Sequence, residues 1–310
     1  MDSPPQALVI GEALVDVVRD PHGVVAETAG GSPLNVAVTL ARLGVRTQLL
    51  TGLGDDQRAD LIQTHLEESG VELLPGARRL IRTSTATASL QPDGSAHYEF
   101  DLEWDPTPVQ PPTATFTHAG SIGLFLEPGA DLVRRRLEDA ACTSFVTLDP
   151  NIRPTMLPDL DLARAAFERL LPLARIVKLS DEDAAWLYPG MTDREVSARL
   201  LAAGPALVAI TRGGHGCTMA SGGFLVEVPA ARTTVVDTIG AGDSFMGALI
   251  HQVILSDLTD AVRSGEPLRP EELDLLGRSA AKVAAITVGR PGADPPWLAE
   301  LVTVNRGQLA

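Results

Sequence analysis

Short apolar runs alternate along the chain with segments in which apolar residues recur at helical spacing. The apolar or β-branched runs predict strands at 7–11, 46–51, 116–121, 144–149, 175–179 and 207–212. Between such runs, 57–69 and 270–286 place apolar residues one helical turn apart, and Gly70 follows the first of these helices as a stop. This alternation predicts an α/β protein with a mostly parallel sheet covered on both faces, whose ligands bind beyond the carboxyl ends of the strands.

Two segments depart from this alternation and are typical of β-hairpins. Segment 12–28 contains the turn Asp20-Pro21-His22-Gly23, and segment 83–104 contains the turn Gln91-Pro92-Asp93-Gly94. Both leave the parallel sheet early and lie close to the first glycine-rich turn, so we expect a small antiparallel lid over the ligand cleft. We expect a single domain, 1–310, with this lid inserted in it.

Composition excludes several functional classes. The net charge of −15 disfavours nucleic acid and anionic membranes as partners. No segment reaches the roughly 18 uninterrupted apolar residues of a membrane helix, and the acidic start lacks the basic region of an export signal. Only two cysteines, Cys142 and Cys217, favour a reducing compartment over a disulfide framework. We therefore expect a cytoplasmic protein that holds any phosphate compound by local groups.

The segment 236–245, VDTIGAGDSF, carries the most specific chemistry. A strand-like run leads into Gly240, Ala241 and Gly242 at the start of an apolar helix, where unpaired N–H groups attract an anion. Asp243 stands beside them and would repel that anion unless it acts as a proton acceptor. A glycine-rich helix cap explains the glycines but not the acid. We interpret the segment as a site of phosphoryl transfer with Asp243 as base.

A second glycine-rich turn, 29–37 (AGGSPLNVA), suggests a binding site for a hydroxyl-rich molecule. Gly30 and Gly31 let the backbone approach a ligand closely, and Ser32 is a candidate helix cap. Asn35, early in the helix, offers a donor and an acceptor to a hydroxyl. A plain turn with a solvated Asn35 is the alternative.

Two further polar residues are candidates for the same site. Asp16 interrupts an apolar strand, and a strand carboxylate that faces a cleft needs partners such as sugar hydroxyls. Arg153 lies in a proline-flanked loop, 149–154, at a strand end, where it could orient a phosphate or a polyol. A solvated aspartate and a surface arginine are the alternatives.

Two other strand ends are candidates for binding a nucleotide. In 178–183 a strand delivers an acidic cluster with Ser180 as helix cap, and carboxylates at this edge either serve the helix dipole or hold a water-coordinated Mg²⁺. The turn 211–216 is glycine-rich, so its N–H groups could face nucleotide phosphates. A simple hairpin entry is the alternative.

Two of these motifs together resemble the ribokinase-like (PfkB) carbohydrate kinases. GGSPLNVA is similar to that family's N-terminal signature and DTIGAGDSFMGAL to its C-terminal one, and the similarity in order and spacing covers essentially the whole chain. The resemblance implies a three-layer α-β-α ribokinase-like fold and ATP with Mg²⁺. It also implies that Asp243 is the catalytic base and that Gly240, Ala241 and Gly242 form the anion hole.

The resemblance also implies which residues contact each ligand. It implies sugar contacts from Asp16, Gly30, Gly31, Asn35 and Arg153. It implies nucleotide contacts from Lys178, Ser180, Thr211, Gly213 and Gly216, with Asp183 holding Mg²⁺ through water. A monovalent cation, K⁺, would lie beside the anion hole, near Asp237, Ile239, Thr287, Arg290 and Gly292.

Within the family, LDPNIRP and VKLSDEDAAWL look most like bacterial fructokinases. Two positions depart from the family pattern: Ser180-x-x-Asp183 replaces Asn-x-x-Glu, and Arg58-Ala59 replaces an aromatic-glycine pair. The alternatives are a 2-keto-3-deoxygluconate kinase, a ribokinase, a nucleoside kinase, or a sugar-binding regulator without catalysis. The absence of a G-x-G-x-x-G turn after the first strand disfavours a dinucleotide-dependent oxidoreductase. Apolar lid strands suggest a homodimer that pairs through the lid.

Overall fold

The computed structural model describes residues 6–20, 23–90, 96–110, 113–157 and 159–301. Within these ranges the strands are β1 (Gln6–Ile10), β2 (Leu14–Asp20), β3 (Gly23–Gly30), β4 (Arg46–Leu50), β5 (Val71–Leu73), β6 (Thr85–Leu90), β7 (Ala96–Asp101), β8 (Phe116–Gly120), β9 (Phe145–Asp149), β10 (Ala174–Ser180), β11 (Leu207–Thr211), β12 (Cys217–Ser221) and β13 (Phe224–Val228). The α-helices are α1 (Ser32–Arg42), α2 (Gln57–Glu68), α3 (Gly129–Ala140), α4 (Leu160–Leu170), α5 (Asp181–Leu187), α6 (Asp193–Ala202), α7 (Ala241–Leu255), α8 (Thr259–Ser264) and α9 (Pro270–Val288).

The described strands form a large sheet in the order β13-β12-β11-β10-β9-β8-β1-β4-β5. Pairing is parallel from β5 through β11, and β12 and β13 add an antiparallel edge. The six strands predicted from apolar runs correspond to β1, β4, β8, β9, β10 and β11. The prediction of a mostly parallel sheet is confirmed.

Alternation of side chains along each strand divides the apolar residues between two cores. On β1, Val9 belongs to one core with residues of α1, α2, α7 and α9, whereas Leu8 and Ile10 belong to the other with residues of α3, α4, α5 and α6. On β11, Leu207 and Val208 divide in the same way. Strands that are buried on both faces explain why these runs are continuously apolar in the sequence, and the three-layer α-β-α arrangement is confirmed.

A smaller sheet forms the lid, in the order β3-β2-β6-β7. The hairpins β2–β3 and β6–β7 are antiparallel, as predicted for 12–28 and 83–104, and a parallel pairing of β2 with β6 joins them. The predicted turns at 21–22 and 91–94 lie outside the described residues. An ion pair of 2.6 Å between Arg58 and Glu27 ties β3 to helix α2 of the main body. That one domain spans 1–310 stays a prediction.

Close packing of α1 against α7 brings two helix starts together beyond the sheet. A Cβ atom added to Gly247 of α7 would lie 2.7 Å from the Cβ of Thr39 on α1, so the two helices approach closely because this position has no side chain. Both helices begin near the carboxyl edge of the sheet, and their first turns meet there. Among the described residues, no helix is both long and apolar enough to cross a lipid bilayer.

The substitution Gly247→Ala tests this packing. In a helix interior, alanine is worth about 1 kcal/mol over glycine, but the added methyl group would collide with Thr39, and such overpacking costs about 1–3 kcal/mol. We expect the free energy of unfolding in urea to fall by roughly 1 kcal/mol, the difference of these two effects. Gly214→Ala is the control, because a Cβ atom there meets nothing within 4 Å. An unchanged or raised stability of Gly247→Ala would contradict the tight α1–α7 contact.

Candidate active site

A cavity of about 650 Å³ opens beyond the carboxyl ends of the parallel strands and beneath the lid. Leu14, Ala86, Phe100 and Leu102 of the lid segments line one side of it. Most residues that the sequence predicts for the site line the same cavity, namely Asp16, Gly31, Asn35, Arg153, Lys178, Ser180, Asp183, Thr211, Gly213, Gly216, Ile239, Gly240, Ala241, Gly242 and Asp243. The tertiary structure thus gathers six separate sequence segments in one place.

The start of α7 lines the cavity through Gly240, Ala241 and Gly242. Gly240 is the residue before the helix and has φ 73°, a left-handed conformation that favours glycine. A Cβ atom there would also lie 2.6 Å from the Cβ of Ala293. The N–H groups of the first turn have no partners within the helix and carry the positive end of its dipole. Of these groups, the N–H of Ala241 donates to the carbonyl of Thr238 at 3.3 Å, outside the helix.

Asp243 lies in the first turn of α7 and is held by two donors from α1. The hydroxyl of Ser32 donates to its Oδ1 at 2.6 Å, and the amide of Asn35 donates to its Oδ2 at 2.8 Å. The carboxylate is 7% exposed. One lone pair on each oxygen remains for a further proton donor. The arrangement suits a carboxylate that must keep a fixed direction while it accepts a proton.

The structure changes the interpretation of Ser32 and of Asn35. Ser32 does not cap α1: the capping position is Gly31, without a side-chain bond, and Ser32 turns to Asp243 instead. The reason is that Ser32 is already the first residue of the helix, so its hydroxyl is not in the capping position and donates instead to a carboxylate that is close only in the folded chain. Asn35 was predicted to contact a sugar, but its side-chain amide nitrogen donates to Asp243. Its side-chain oxygen is still an acceptor that a ligand can use.

Two more carboxyl groups lie beside Asp243. Burial, and then the charge of Asp243, raise the pKa of Asp16 to about 6, while Arg153 lowers it. Glu12, directly after β1, accepts a hydrogen bond from the N–H of Gly123 at 3.2 Å. Burial above all, with a smaller effect of Asp243, raises the pKa of Glu12 to about 7. Glu12 was not among the predicted site residues, although an acid within two residues of an apolar strand end is a usable signal.

A buried ion pair lies beneath the cavity. The Nζ atom of Lys178 on β10 lies 2.9 Å from Oδ2 of Asp149 on β9, and the side chains are 4% and 0% exposed. Burial raises the pKa of Asp149 to about 6, an effect that Lys178 opposes. Burial lowers the pKa of Lys178, but the carboxylates of Asp149 and Asp183 outweigh it and raise that pKa. At neutral pH both partners are therefore charged.

Asp183 and Ser180 form a reciprocal cap at the start of α5. The N–H of Asp183 donates to the Ser180 hydroxyl at 3.0 Å, and the N–H of Ser180 donates to Oδ2 of Asp183 at 2.9 Å. The other oxygen of Asp183 accepts the N–H of Ile152 at 2.7 Å, which ties the 149–154 loop to α5. The predicted cap at Ser180 is confirmed.

The 149–154 loop presents two polar side chains to the cavity. Arg153 donates to the side-chain oxygen of Asn151 at 2.8 Å and to the carbonyl of Ile152 at 3.1 Å. Asn151 has φ 39°, an uncommon conformation for a residue with a side chain.

The turn after β11 is tight. The N–H of Arg212 donates to the carbonyl of Gly216 at 2.7 Å, and Gly216 has φ 89°. A Cβ atom on Gly216 would collide with the carbonyl of Val228, so glycine is required there. Gly213 has φ 48° and faces open space. Thr211 and both glycines line the cavity.

The residues predicted for a monovalent cation lie in the loop before α7, in the last turn of α9 and in the loop after it. Oδ1 of Asp237 accepts the N–H of Ile239 at 3.0 Å, and Oδ2 accepts the N–H of Gly292 at 2.9 Å. The N–H of Arg290 donates to the carbonyl of Thr287 at 3.0 Å. Of these five residues only Ile239 lines the cavity.

Gly30 does not line the cavity either. A Cβ atom on it would collide with the carboxylate of Asp16, so Gly30 makes room for the Asp16 side chain. Its part in the site is therefore to leave space for a neighbouring residue.

The sheet, the lid and the helix start at the cavity define the class of ribokinase-fold sugar kinases. Residues 5–300 match the model of the pfkB family carbohydrate kinases. The chain belongs to that family, and the resemblance found in its motifs is confirmed. It is an ATP-dependent sugar kinase by class.

Individual relatives of the chain are also sugar kinases. The chain is 33% identical over 263 residues to a fructokinase from Rhizobium leguminosarum bv. trifolii, which covers 81% of this chain and 80% of the relative. It is 32% identical over 272 residues to a fructokinase from Klebsiella pneumoniae, with 84% and 88% covered. The crystal structure of a fructokinase with bound ATP from Xylella fastidiosa superposes with a TM-score of 0.82 at 26% identity, over 98% of this chain and 99% of that one.

The buried carboxyl of Glu12 predicts a pH dependence of stability. Its pKa rises from 4.5 to about 7 in the folded chain, so the folded state binds the proton more tightly and stability falls as pH rises through that window. We expect wild type to lose about 2 kcal/mol relative to Glu12→Gln between pH 5 and 7.5. Urea denaturation of both proteins at several pH values measures it. Parallel pH curves for the two proteins would contradict the assignment.

Proposed function

We propose that the chain is a fructokinase-type kinase, which transfers the γ-phosphoryl group of ATP to a hydroxyl of fructose. The observation that carries this proposal is the Asp243 carboxylate, oriented by Ser32 and Asn35 beside the N-terminus of α7. Two relatives at 33% and 32% identity, both named fructokinase, support the choice of sugar.

In this proposal the sugar lies under the lid against Asp16, Gly31, Asn35 and Arg153. Asp16 accepts hydrogen bonds from its hydroxyls, and Asn35 adds its free acceptor. Asp243 removes the proton of the attacking hydroxyl, and the N–H groups at 240–242 stabilise the charge on the transferred group. The lid keeps water away, which strengthens these interactions.

The nucleotide would bind on the other side of Asp243. Its phosphates would face Thr211, Gly213 and Gly216, with Lys178 and Ser180 at the floor. The Xylella fastidiosa fructokinase was solved with bound ATP, which supports ATP as the nucleotide. The N–H groups of Arg212, His215 and Gly216 are bonded within this turn. The phosphates would therefore face the N–H groups of Gly213 and Gly214, which line the cavity.

Two ions fit the residues present. Each oxygen of Asp183 accepts one backbone N–H, so a lone pair on each remains for a water on Mg²⁺. Bound Mg²⁺ would neutralise charge on the ATP phosphates. K⁺ would be held mainly by carbonyl groups in the loops of Asp237 and Ile239 and of Thr287, Arg290 and Gly292. The bond between Asp237 and Gly292 keeps these loops together.

We also propose the cellular setting and the assembly. Cys142 and Cys217 are free thiols, which suits a reducing cytoplasm. In the lid sheet, β3 and β7 are the outer strands. Unpaired strand edges of this kind favour pairing with a second copy, so we propose a homodimer through the lid.

A substrate panel tests the proposed activity. With ATP and Mg²⁺, we expect ADP release to be fastest with fructose and slower with ribose, 2-keto-3-deoxygluconate and nucleosides. A coupled spectrophotometric assay measures it. Sugar binding by calorimetry without ADP release would favour a regulator. Faster turnover of another compound in the panel would identify that compound, and not fructose, as the preferred substrate of a kinase of the same family.

Asp243→Asn tests the base. Loss of a general base lowers turnover by about 10²–10⁴-fold, and fructose affinity by calorimetry should change little because the missing interaction belongs to the transition state. Asp260→Asn, on exposed α8, is the matched control and should be as active as wild type. Equal losses of affinity and turnover in Asp243→Asn would argue against a base.

Ser32→Ala tests how Asp243 is oriented. A hydrogen bond to a charged group contributes about 1.5–3 kcal/mol, so its loss should lower kcat roughly tenfold while KM for ATP stays unchanged. In the Asp243→Asn background the same change should have almost no effect, because Ser32 acts through that carboxylate. Equal effects in both backgrounds would assign Ser32 a general structural role.

A further inference from the structure

Glu12 is a buried acid at the root of the lid. It lies in the link 11–13, between β1 of the main sheet and β2 of the lid. The residue is only 5% exposed, yet it lines the cavity. Gly31, which is predicted to contact the sugar, packs directly on it, since a Cβ atom added to Gly31 would lie 2.7 Å from the carbonyl oxygen of Glu12. Glu12 therefore lies beside the part of the cavity that the proposed sugar occupies.

The other buried carboxyl groups in or under the cavity each have a cation or two donors as partners. Asp149 forms an ion pair with Lys178. The oxygens of Asp183 accept two backbone N–H groups, and those of Asp243 accept two side-chain donors of α1. Glu12 differs, because within the described chain its carboxyl accepts one hydrogen bond of ordinary length and angle, from a backbone N–H.

One oxygen of Glu12 remains available to a ligand. The N–H of Gly123 donates to Oε2 at 3.2 Å, and Oε1 has no bond of that kind within the described chain. Oε1 is also not among the fully enclosed side-chain atoms that lack a partner. An oxygen that is neither bonded nor enclosed borders open space, and the space that Glu12 borders is the cavity. A carboxyl oxygen in such a place is costly unless a ligand supplies its partner.

The protonation of Glu12 suits a hydroxyl partner. Burial raises the pKa of Glu12 to about 7; the nearby hydroxyl of Ser121 opposes this effect and the charge of Asp243 adds to it. At neutral pH both forms of the carboxyl are therefore populated, so the group can accept a hydrogen bond or donate one. A sugar hydroxyl can also do both. A carboxyl in a cleft with such a displaced pKa is a candidate functional group.

We propose that Glu12 is a specificity-determining residue whose Oε1 forms a hydrogen bond with a hydroxyl group of the sugar. This inference rests on the proposed kinase function. Asp16 and Asn35 are the acceptors already proposed for the sugar, and Glu12 adds another from the link between sheet and lid. Each hydroxyl that the lid separates from water needs such a partner. An analogue without the contacted hydroxyl leaves Oε1 unpaired, so Glu12 selects against it.

Fastening of the lid is the alternative explanation. The carbonyl of Gly123 accepts the indole N–H of Trp104 at 3.2 Å, and Trp104 lies between β7 of the lid and β8 of the main sheet. Glu12 and Trp104 thus bond to the same residue from the links that enter and leave the lid. A residue that only held this junction would affect all sugars alike. The experiment must therefore compare sugars that differ in single hydroxyl groups.

The experiment uses the full chain with two substitutions of Glu12. Glu12→Gln keeps an acceptor for the N–H of Gly123, whereas Glu12→Met removes every polar atom of the side chain. Thermal melting followed by circular dichroism verifies that each variant folds. Calorimetry then measures binding of fructose, of fructose analogues that each lack one hydroxyl, and of a non-hydrolysable ATP analogue with Mg²⁺. Glu271→Gln, in the exposed first turn of α9, is the matched control.

If Glu12 binds a sugar hydroxyl, both variants bind fructose about tenfold or more weakly than wild type, as expected for a lost hydrogen bond to a charged group. The analogue that lacks the contacted hydroxyl binds to the variants and to wild type within about threefold, because the two losses are not additive. The affinity for the ATP analogue stays unchanged, and Glu271→Gln matches wild type throughout. Equal weakening of all the sugars would overturn the inference, as would unchanged affinity for all of them in folded variants.

A crystal structure of wild type with fructose tests the contact without any substitution. We expect a distance below about 3.5 Å between Oε1 of Glu12 and a sugar oxygen, and a longer distance would overturn the inference. Fructose binding without ADP release would refute the proposed function, while the binding comparison would still decide the role of Glu12. Preferred binding of another sugar would refute fructose as the substrate, and analogues of that sugar would then decide it.

Discussion

The contact between the first turns of α1 and α7 is the constraint on which the rest of the site depends. Ser32 and Asn35 are separated from Asp243 by more than 200 residues, yet both bond to its carboxylate. They reach it because Gly247 lets the two helices pack closely behind the cavity. A carboxylate in a first helical turn commonly bonds to its own helix. Here the two donors of α1 direct it to the cavity, beside the N–H groups of α7.

Electrostatics explains how an acidic chain can hold a phosphate compound. The net charge is −15, and Glu12, Asp16, Asp149, Asp183 and Asp243 all lie in or under the cavity. Long-range attraction of an anion is therefore absent. In the proposed function, short-range donors take its place: the start of α7, the glycine-rich turn after β11, and the ammonium of Lys178, which is bonded to Asp149. Such groups act within a few ångströms and in a region from which water is largely excluded.

Local sequence patterns identified most elements and many site residues. Apolar runs marked the parallel strands because burial on both faces demands them. Polar residues directly after strands were correctly collected in one cavity, since parallel strands end at the same edge. Ser32 was misassigned as a helix cap, and Glu12 was missed. Ser32 contacts Asp243, and Glu12 contacts Gly123. Both partners are distant in sequence, so no local pattern indicates these contacts.

The order of apolar runs, glycines and acids along the chain was sufficient to predict the fold class, the family and the position of Asp243 at a helix start. The tertiary structure alone decided which groups touch: that Ser32 bonds to a carboxylate and does not cap its helix, that Gly30 and Gly242 make room for Asp16 and Lys178, and that Asp149 lies beneath the site. The physical reason is that secondary structure follows from periodicity along the chain, whereas hydrogen bonds and ion pairs across a sheet depend on packing distances that no local pattern contains.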